Sequence, residues 1–152
     1  MEEINRNILI SLDESENAIR AVNYVGQFLR GIPSFHIFLL HIVSLPHEDY
    51  FMNDAEKNRW LLEKQDIGNT VLNTGAQILI NYGFSPQNIE KILLVKTCTS
   101  IGKCILDEGQ RLKCSTVVIG RRGISKKEEF IFGSTSNKIL HTPKECTVWI
   151  VE

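Results

Sequence analysis

Five short apolar runs alternate with segments of helical spacing along the chain, and this alternation constrains the fold more than any other feature. The runs are predicted strands at residues 7–12, 35–43, 89–95, 116–119 and 147–151. Strands that are separated by helices pair in parallel through right-handed crossovers, because a parallel connection needs a dozen or more residues. The sequence therefore predicts a doubly wound α/β fold with a five-stranded open parallel sheet.

The longest helix between these strands is predicted for residues 54–82. The apolar residues that recur at helical spacing lie on one stripe of this helix, which consists of Ile67, Val71, Ile78 and Tyr82. Shorter helices are expected near residues 18–29, 101–112 and 134–140. Residues 13–15 (DES) precede the first of them and place acidic and hydroxyl groups where a helix N-terminus favours them.

Composition and charge limit the partners of the chain. It has 152 residues, of which 43% are hydrophobic and 23% charged, and its formal net charge is −1. Such a charge provides no general attraction to nucleic acid or to an anionic membrane. The longest apolar run is far too short to span a bilayer. Residues 1–7 lack the apolar run of a secretory signal, so we expect a cytoplasmic protein.

The cysteines predict neither a zinc site nor a redox dithiol. They are Cys98, Cys104, Cys114 and Cys146. No two of them have C-x-x-C spacing, which is typical of such sites. In a reducing cytoplasm we therefore expect free, buried thiols.

A glycine-rich segment after the fourth predicted strand carries the candidate ligand site. From Gly120 it reads GRRGISKKEEFIFGSTSNKIL, which fits the pattern G-x-x-G-x9-G-[ST]. Glycine allows a backbone to approach a ligand closely, and the free N–H groups at the start of the following helix favour phosphate. The alternative is an ordinary strand-to-helix turn in which Ser134 caps the helix.

These motifs resemble the universal stress protein family, specifically its ATP-binding branch. The glycine pattern is the signature of that branch, and similarity extends to NILISLDESENAIRAVNYV, LLHIV, STVVIGRRG and ECTVWIV. The resemblance implies one nucleotide-binding domain over residues 1–152. It also implies an adenine-nucleotide α-hydrolase-like fold with the strand order 3-2-1-4-5.

The resemblance further implies which residues would hold ATP. Those around the nucleoside would be Ser11, Leu12, Asp13, Ile42, Ile119 and Gly120. Those around the phosphates would be Gly123, Gly133, Ser134 and Thr135. Asp13 would bond the nucleoside, and Ile42 would offer its backbone to the adenine edge. Mg²⁺ or Mn²⁺ would be held through the triphosphate and Ser134. By local rules alone, Asp13 fits a helix-entry residue equally well.

Binding is favoured over catalysis because no base can be assigned beside the phosphates. A hydrolase must position water within hydrogen-bond reach, whereas Glu128 and Glu129 lie in the middle of the glycine-rich segment. His41 lies within an apolar run and is predicted to be a core histidine. We expect an ATP-binding regulatory or stress-response protein. The alternatives are a slow ATPase or nucleotidyl-transfer enzyme of the same fold, and a nucleotide-free interaction module.

The last predicted strand, 147–151, favours a homodimer. Val148 and Ile150 face one side of it, and Trp149 and Val151 face the other, so both faces are apolar. An edge strand without proline or an interior charge can pair with another chain. Antiparallel pairing with the same strand of a second copy would satisfy both edges, as the resemblance also implies. The alternative is that helices and residues 1–6 cover this edge within one chain.

Overall fold

The strands form one parallel sheet in a computed structural model that describes residues 3–30, 32–121 and 145–152. They are β1 (Asn7–Ser11), β2 (His36–Ser44), β3 (Ile89–Lys96), β4 (Thr116–Gly120) and β5 (Thr147–Val151). Their order in the sheet is β3-β2-β1-β4-β5, and every neighbouring pair is parallel. The α/β architecture and the strand order expected from the sequence are confirmed.

Three α-helices lie within the described residues, and they cover both faces of the sheet. They are α1 (Glu16–Phe28), α2 (Asp54–Asn81) and α3 (Ile101–Arg111). The helix expected near residues 134–140 lies outside the described part of the chain. None of the described helices has both the length and the apolar composition needed to cross a membrane.

Successive side chains of each strand point to opposite faces of the sheet, so each strand contributes to two core layers. On β1, Ile8 and Ile10 pack with residues of α1 and α2, whereas Leu9 faces the opposite layer. That opposite layer includes Ile105 of α3 and Ile119 of β4. Strands covered on both faces need apolar residues at every position, and this explains why the predicted strands read as continuous apolar runs.

The face of α2 that packs on the sheet includes Val71 and Ile78 of the predicted stripe, which pack against the core, and extends beyond that stripe. Its buried residues are Gly68, Leu72, Gly75, Ala76 and Leu79, whereas Ile67, Val71, Ile78 and Tyr82 are half-buried. Glycine allows the helix to lie close to the sheet: a Cβ on Gly75 would come 2.8 Å from Leu12 Cδ1. No residue of α2 before Gly68 is buried.

Cys98 and Cys104 form a disulfide, so the expectation of free thiols is wrong for this pair. Cys98 follows β3 and Cys104 lies in the first part of α3, with their Cα atoms 6.2 Å apart. A turn followed by helix brings the two residues together, which their sequence separation does not reveal. Cys114 is buried and carries a thiol, as expected.

Candidate functional site

The carboxyl ends of β1 and β4 meet at the point where the strand order reverses. The chain continues from β1 to β2 and β3 on one side, and β4 and β5 lie on the other. Ser11 at the end of β1 pairs with Ile119 of β4. In open parallel sheets a ligand binds in the crevice at such a switch point. Of the sequence-predicted residues, the structure brings Ser11, Leu12, Asp13, Ile119 and Gly120 together at this crevice.

Buried hydrogen bonds fix the peptide that leads into Asp13. The Leu12 N–H donates to the Leu40 carbonyl at 2.7 Å, and His41 Nδ1 lies 2.9 Å from the Leu12 carbonyl oxygen. With its proton on Nδ1, the imidazole donates to that oxygen. His41 is buried, and its ring packs against Gly68 of α2. The prediction of a core histidine is confirmed, and the ring also positions the turn after β1.

Asp13 is exposed and is joined to the entry of α1. Its Oδ1 accepts from the Ser15 N–H at 2.8 Å and also from the Ser15 hydroxyl. Ser15, rather than Asp13, is the N-cap, because its Oγ accepts from the Ala18 N–H at 3.3 Å. Asp13 therefore orders the helix entry and also presents a carboxylate at the crevice.

Gly120 lies directly against the first turn of α1. A Cβ on this residue would come 2.9 Å from the Ala18 nitrogen and closer still to the carbonyl group of Asn17. Only glycine permits this approach of two backbones, because any larger residue would overlap the helix. Helix packing therefore explains Gly120 without reference to a ligand. The same contact brings the positive N-terminal end of α1 to the crevice.

Strand β2 extends beyond β1 and forms one wall of the crevice. Ser11, the last residue of β1, pairs with Leu40, and β2 continues to Ser44. The four additional residues extend the wall by about 13 Å, at about 3.3 Å per residue. Strand β3 accompanies β2 to the same level, because Lys96 pairs with Ser44.

The peptide groups of Ile42 are directed from this wall toward the side of β1. In a parallel ladder, alternate residues direct both their N–H and C=O groups to the same neighbouring strand. His36 N–H donates to Arg6 and Leu40 C=O accepts from Leu12, so the even-numbered residues of β2 face β1. Ile42 continues this series beyond the last residue of β1. The sequence alone did not reveal this, because it depends on the relative lengths of two strands.

Arg121 joins the ends of β4 and β5 beside the crevice. Its N–H donates to the Val151 carbonyl at 2.7 Å, and its guanidinium forms an ion pair with Glu152. The sequence does not predict the ion pair between Arg121 and Glu152, because only the pairing of β4 with β5 brings the two residues together.

The remaining predicted site residues lie outside the described part of the chain. They are Gly123, Gly133, Ser134 and Thr135. Within the described ranges, no group of three or more histidine, cysteine, aspartate or glutamate side chains is placed to hold a metal ion.

Comparison with protein families identifies the chain. The model described as the universal stress protein family matches residues 5–152. The chain belongs to the universal stress protein family. This confirms the family inferred from the glycine pattern and from the strand motifs. None of the curated proteins matches the chain.

Solved structures, among them universal stress proteins, share the fold. The universal stress protein from Archaeoglobus fulgidus in complex with dAMP has a TM-score of 0.69 and 18% identity, covering 99% of this chain and 100% of that chain. A universal stress protein in complex with cAMP has a TM-score of 0.70 and 18% identity, covering 97% of each chain. The hypothetical protein MJ0577 has a TM-score of 0.78 and 18% identity, covering 98% of this chain and 96% of that chain.

Proposed function

We propose that this universal stress protein binds ATP, together with Mg²⁺ or Mn²⁺, in the crevice between β1 and β4. Its role is that of a regulatory or stress-response protein that responds to the nucleotide. The observation that carries the proposal is the placement of the Asp13 carboxylate and the Ile42 peptide groups around one switch-point crevice. The complexes of similar proteins with dAMP and cAMP support an adenine nucleotide as the ligand.

The crevice provides the hydrogen-bonding groups that a nucleoside requires. A carboxylate beside a switch point accepts hydrogen bonds from ribose hydroxyl groups, and Asp13 is exposed there. Adenine presents an amino donor next to ring-nitrogen acceptors. The C=O and N–H of Ile42, which are directed into the crevice, offer the complementary acceptor and donor. Ser11 and Leu12 form the floor, because they follow the buried part of β1.

For the phosphates, the proposal rests on the glycine pattern. Gly123, Gly133, Ser134 and Thr135 follow β4, which ends at this crevice. Their backbone N–H and hydroxyl groups are donors to phosphate oxygens. The N-terminus of α1, which packs against Gly120, adds a favourable dipole. Ser134 and the triphosphate would hold the metal, which would neutralise phosphate charge, since Mg²⁺ binds through substrate phosphates with few protein ligands.

The described crevice favours binding over hydrolysis. Asp13 Oδ1 accepts two bonds from Ser15, and the His41 ring is buried against Leu12 and α2. In the described part of the chain, these contacts assign both groups to holding the turn after β1 rather than to acid–base chemistry. We therefore expect release of phosphate to be slow or undetectable over an hour. Turnover near the typical enzyme median of about 10 per second would instead favour the ATPase alternative.

Calorimetric titration with ATP and Mg²⁺ tests the proposal. Asp13→Ala is expected to weaken binding roughly 5- to 150-fold, which corresponds to the loss of about 1–3 kcal/mol from a charge-assisted bond. Glu14→Ala is the matched control, because it removes the neighbouring exposed carboxylate and should change the affinity less than twofold. The proposal fails if millimolar ATP produces neither heat nor a thermal shift. Equal effects of the two substitutions would remove Asp13 from the site.

We also propose that the protein forms a homodimer through β5. This strand is at the edge of the sheet, where it pairs with β4. Trp149 on β5 packs edge-to-face with Phe28 and Tyr24 of α1, with ring centroids 5.5 and 6.1 Å apart. Phe28 and Tyr24 are 61% and 45% exposed, so they extend the apolar edge onto the helix layer. Such an exposed patch beside an edge strand fits a second copy of the chain.

Light scattering behind size exclusion measures this dimer. Phe28→Glu is expected to shift the protein toward monomer, because it places a charge in the apolar patch. Gln27→Glu introduces the same charge at the adjacent exposed position of α1 and should leave the dimer intact. A parent protein that is monomeric at all concentrations down to the low micromolar range would disprove the dimer. A dimeric Phe28→Glu variant would exclude this patch from the interface.

A further inference from the structure

A disulfide closes the turn between β3 and α3, at the same edge of the sheet as the nucleotide crevice. Cys98 follows β3 by two residues, and Cys104 is the fourth residue of α3. The segment between them contains the N-cap Ser100, whose Oγ accepts from the Lys103 N–H at 3.4 Å. The bridge therefore ties the exit of β3 to the first turn of a helix.

This turn is attached to the wall that carries Ile42. Lys96, the last residue of β3, pairs with Ser44 of β2, and its carbonyl accepts from the Leu45 N–H at 3.0 Å. Ile42 pairs with Leu94, two residues earlier on β3. The disulfide begins only two residues beyond Lys96. The turn is thus continuous with the part of β2 and β3 that projects beyond β1.

The bridge is a local restraint rather than a staple of the fold. It encloses a ring of only seven residues, from Cys98 to Cys104, and joins no elements that are distant in sequence. The two core layers of the sheet do not depend on it. Opening it is therefore expected to alter the turn and the wall while the sheet stays folded.

The two bridged cysteines differ in their exposure to solvent. Cys98 is half-buried between exposed Thr97 and Thr99, whereas Cys104 is only 6% exposed. A thiolate must reach a sulfur atom in order to exchange with it, so Cys98 is the site of attack. In reducing compartments, disulfides that do form are usually transient or redox-sensing. Accessibility and locality together distinguish this bridge from a permanent structural bond.

We propose that Cys98 and Cys104 form a reversible thiol–disulfide site whose state controls the β2–β3 wall of the nucleotide crevice. This proposal rests on the proposed function. A thiolate of a small-molecule or protein dithiol attacks Cys98 Sγ, the bond to Cys104 breaks, and Cys104 leaves as a thiolate that takes up a proton. The second thiol of the reductant then attacks the mixed disulfide and releases Cys98. The protein disulfide gains two electrons and two protons, and the reductant becomes a disulfide.

The oxidised state is expected to bind the nucleotide more tightly. While the bridge is closed, the turn is already ordered against α3. After reduction, binding must order the turn as well, and this entropy cost lowers the affinity. We expect ATP affinity to fall about three- to tenfold on reduction with dithiothreitol, a loss of roughly 0.7–1.4 kcal/mol. Cys98→Ser should have the lower affinity under both conditions.

The experiment uses the full chain and combines three measurements. Thiol titration of the denatured, never-reduced protein should give two thiols, since two of the four cysteines are in the bridge, and four after reduction. Calorimetry with ATP and Mg²⁺ compares the two states. Amide exchange should increase at Lys103 and Cys104 on reduction, because their N–H groups donate to Ser100. Cys146→Ser is the control variant and should keep the full response to dithiothreitol.

Each outcome decides the proposal. Four thiols before reduction, even after treatment with oxidised glutathione, would overturn it, because the bridge would not form. Equal ATP affinity in the two states would overturn the control by Cys98 and Cys104 while leaving the proposed function intact. Absence of ATP binding in both states would overturn the proposed function as well. The thiol–disulfide proposal is supported if reduction lowers the ATP affinity of the parent and of Cys146→Ser but leaves that of Cys98→Ser unchanged.

Discussion

Gly120→Ala tests how the crevice is assembled, because the added methyl group meets the backbone of α1. Among the described glycines, only Gly83 has a positive φ, so alanine can adopt the backbone conformation of residue 120. At such positions a change from glycine to alanine stabilises a protein by about 0.4–1 kcal/mol, because it restricts the unfolded chain. The substitution therefore separates the effect of packing from the effect of backbone conformation.

The packing cost of Gly120→Ala is larger than this gain. The new Cβ would lie 2.9 Å from the Ala18 nitrogen, whereas ordinary contacts begin at 3.4 Å. The Asn17 carbonyl carbon would be nearer still, at 2.5 Å. Because the obstacle is backbone, α1 must move by about 0.9 Å, and a gap of that size removes nearly half of each dispersion contact behind it. Overpacking costs about 1–3 kcal/mol. The clash costs about 3 kcal/mol, and the restriction of the unfolded chain offsets about 0.7 kcal/mol of it. Gly120→Ala should therefore lower the free energy of unfolding by about 2 kcal/mol.

Urea and thermal unfolding without nucleotide measure this effect. A loss of about 2 kcal/mol in a chain of this length lowers the Tm by about 6 °C. Gly109→Ala is the matched control, because its Cβ would meet side chains only, with Val117 Cγ2 at 3.1 Å. Alanine also favours α3 by about 1 kcal/mol, so this variant should be at least as stable as the parent. The reasoning is refuted if Gly120→Ala is as stable as Gly109→Ala.

Three further predictions concern stability. Ser15→Ala removes the N-cap of α1 and should lower the free energy of unfolding by about 1 kcal/mol in urea titrations, whereas Ser85→Ala, at an exposed turn serine with no side-chain cap bond, should change it little. Reduction of the Cys98–Cys104 disulfide should lower the free energy of unfolding by about 2.4 kcal/mol, because the unfolded chain regains loop entropy. Equal stability of the oxidised and reduced protein in urea would contradict this. Burial raises the pKa of the Cys114 thiol to about 12 from its ordinary 9.0, with further contributions from Cys146 and Glu108. The unfolded chain therefore loses this proton first, so the stabilisation is complete below pH 9 and is lost between about pH 9 and 12. Cys114→Ala should reduce this slope in urea unfolding, and an unchanged slope would rule out Cys114 as its source.

The sequence was sufficient for the architecture because its strongest pattern reflects burial. Runs such as that of β2 are apolar at nearly every position, which occurs when helices cover both faces of a sheet. The β5 range was predicted without error, and the alternation of Trp149 and Val151 against Val148 and Ile150 matches the two core layers. The strand order came from the family resemblance, since periodicity alone does not order parallel strands.

The sequence did not predict features that depend on distances in the folded chain rather than on the pattern of residues. The packing face of α2 is built on Gly68 and Gly75, which carry no hydrophobic signal. The bridge between Cys98 and Cys104 depends on how a turn enters α3, and spacing rules do not describe that geometry. For the candidate site, the sequence located Asp13 and Gly120 at the switch point. It did not reveal that α1 itself requires Gly120 to be glycine.

The uneven burial of α2 divides one continuous helix into two thermodynamic parts. With 28 residues it is about 42 Å long, yet its buried residues begin only at Gly68. The half that ends at Asn81 packs on the sheet, whereas no residue of the half that begins at Asp54 is buried by the described part of the chain. A helix segment of that kind unfolds and refolds locally, well below the free energy of global unfolding. The first turns of α2 are therefore expected to open at a lower free-energy cost than the turns that lie on the sheet.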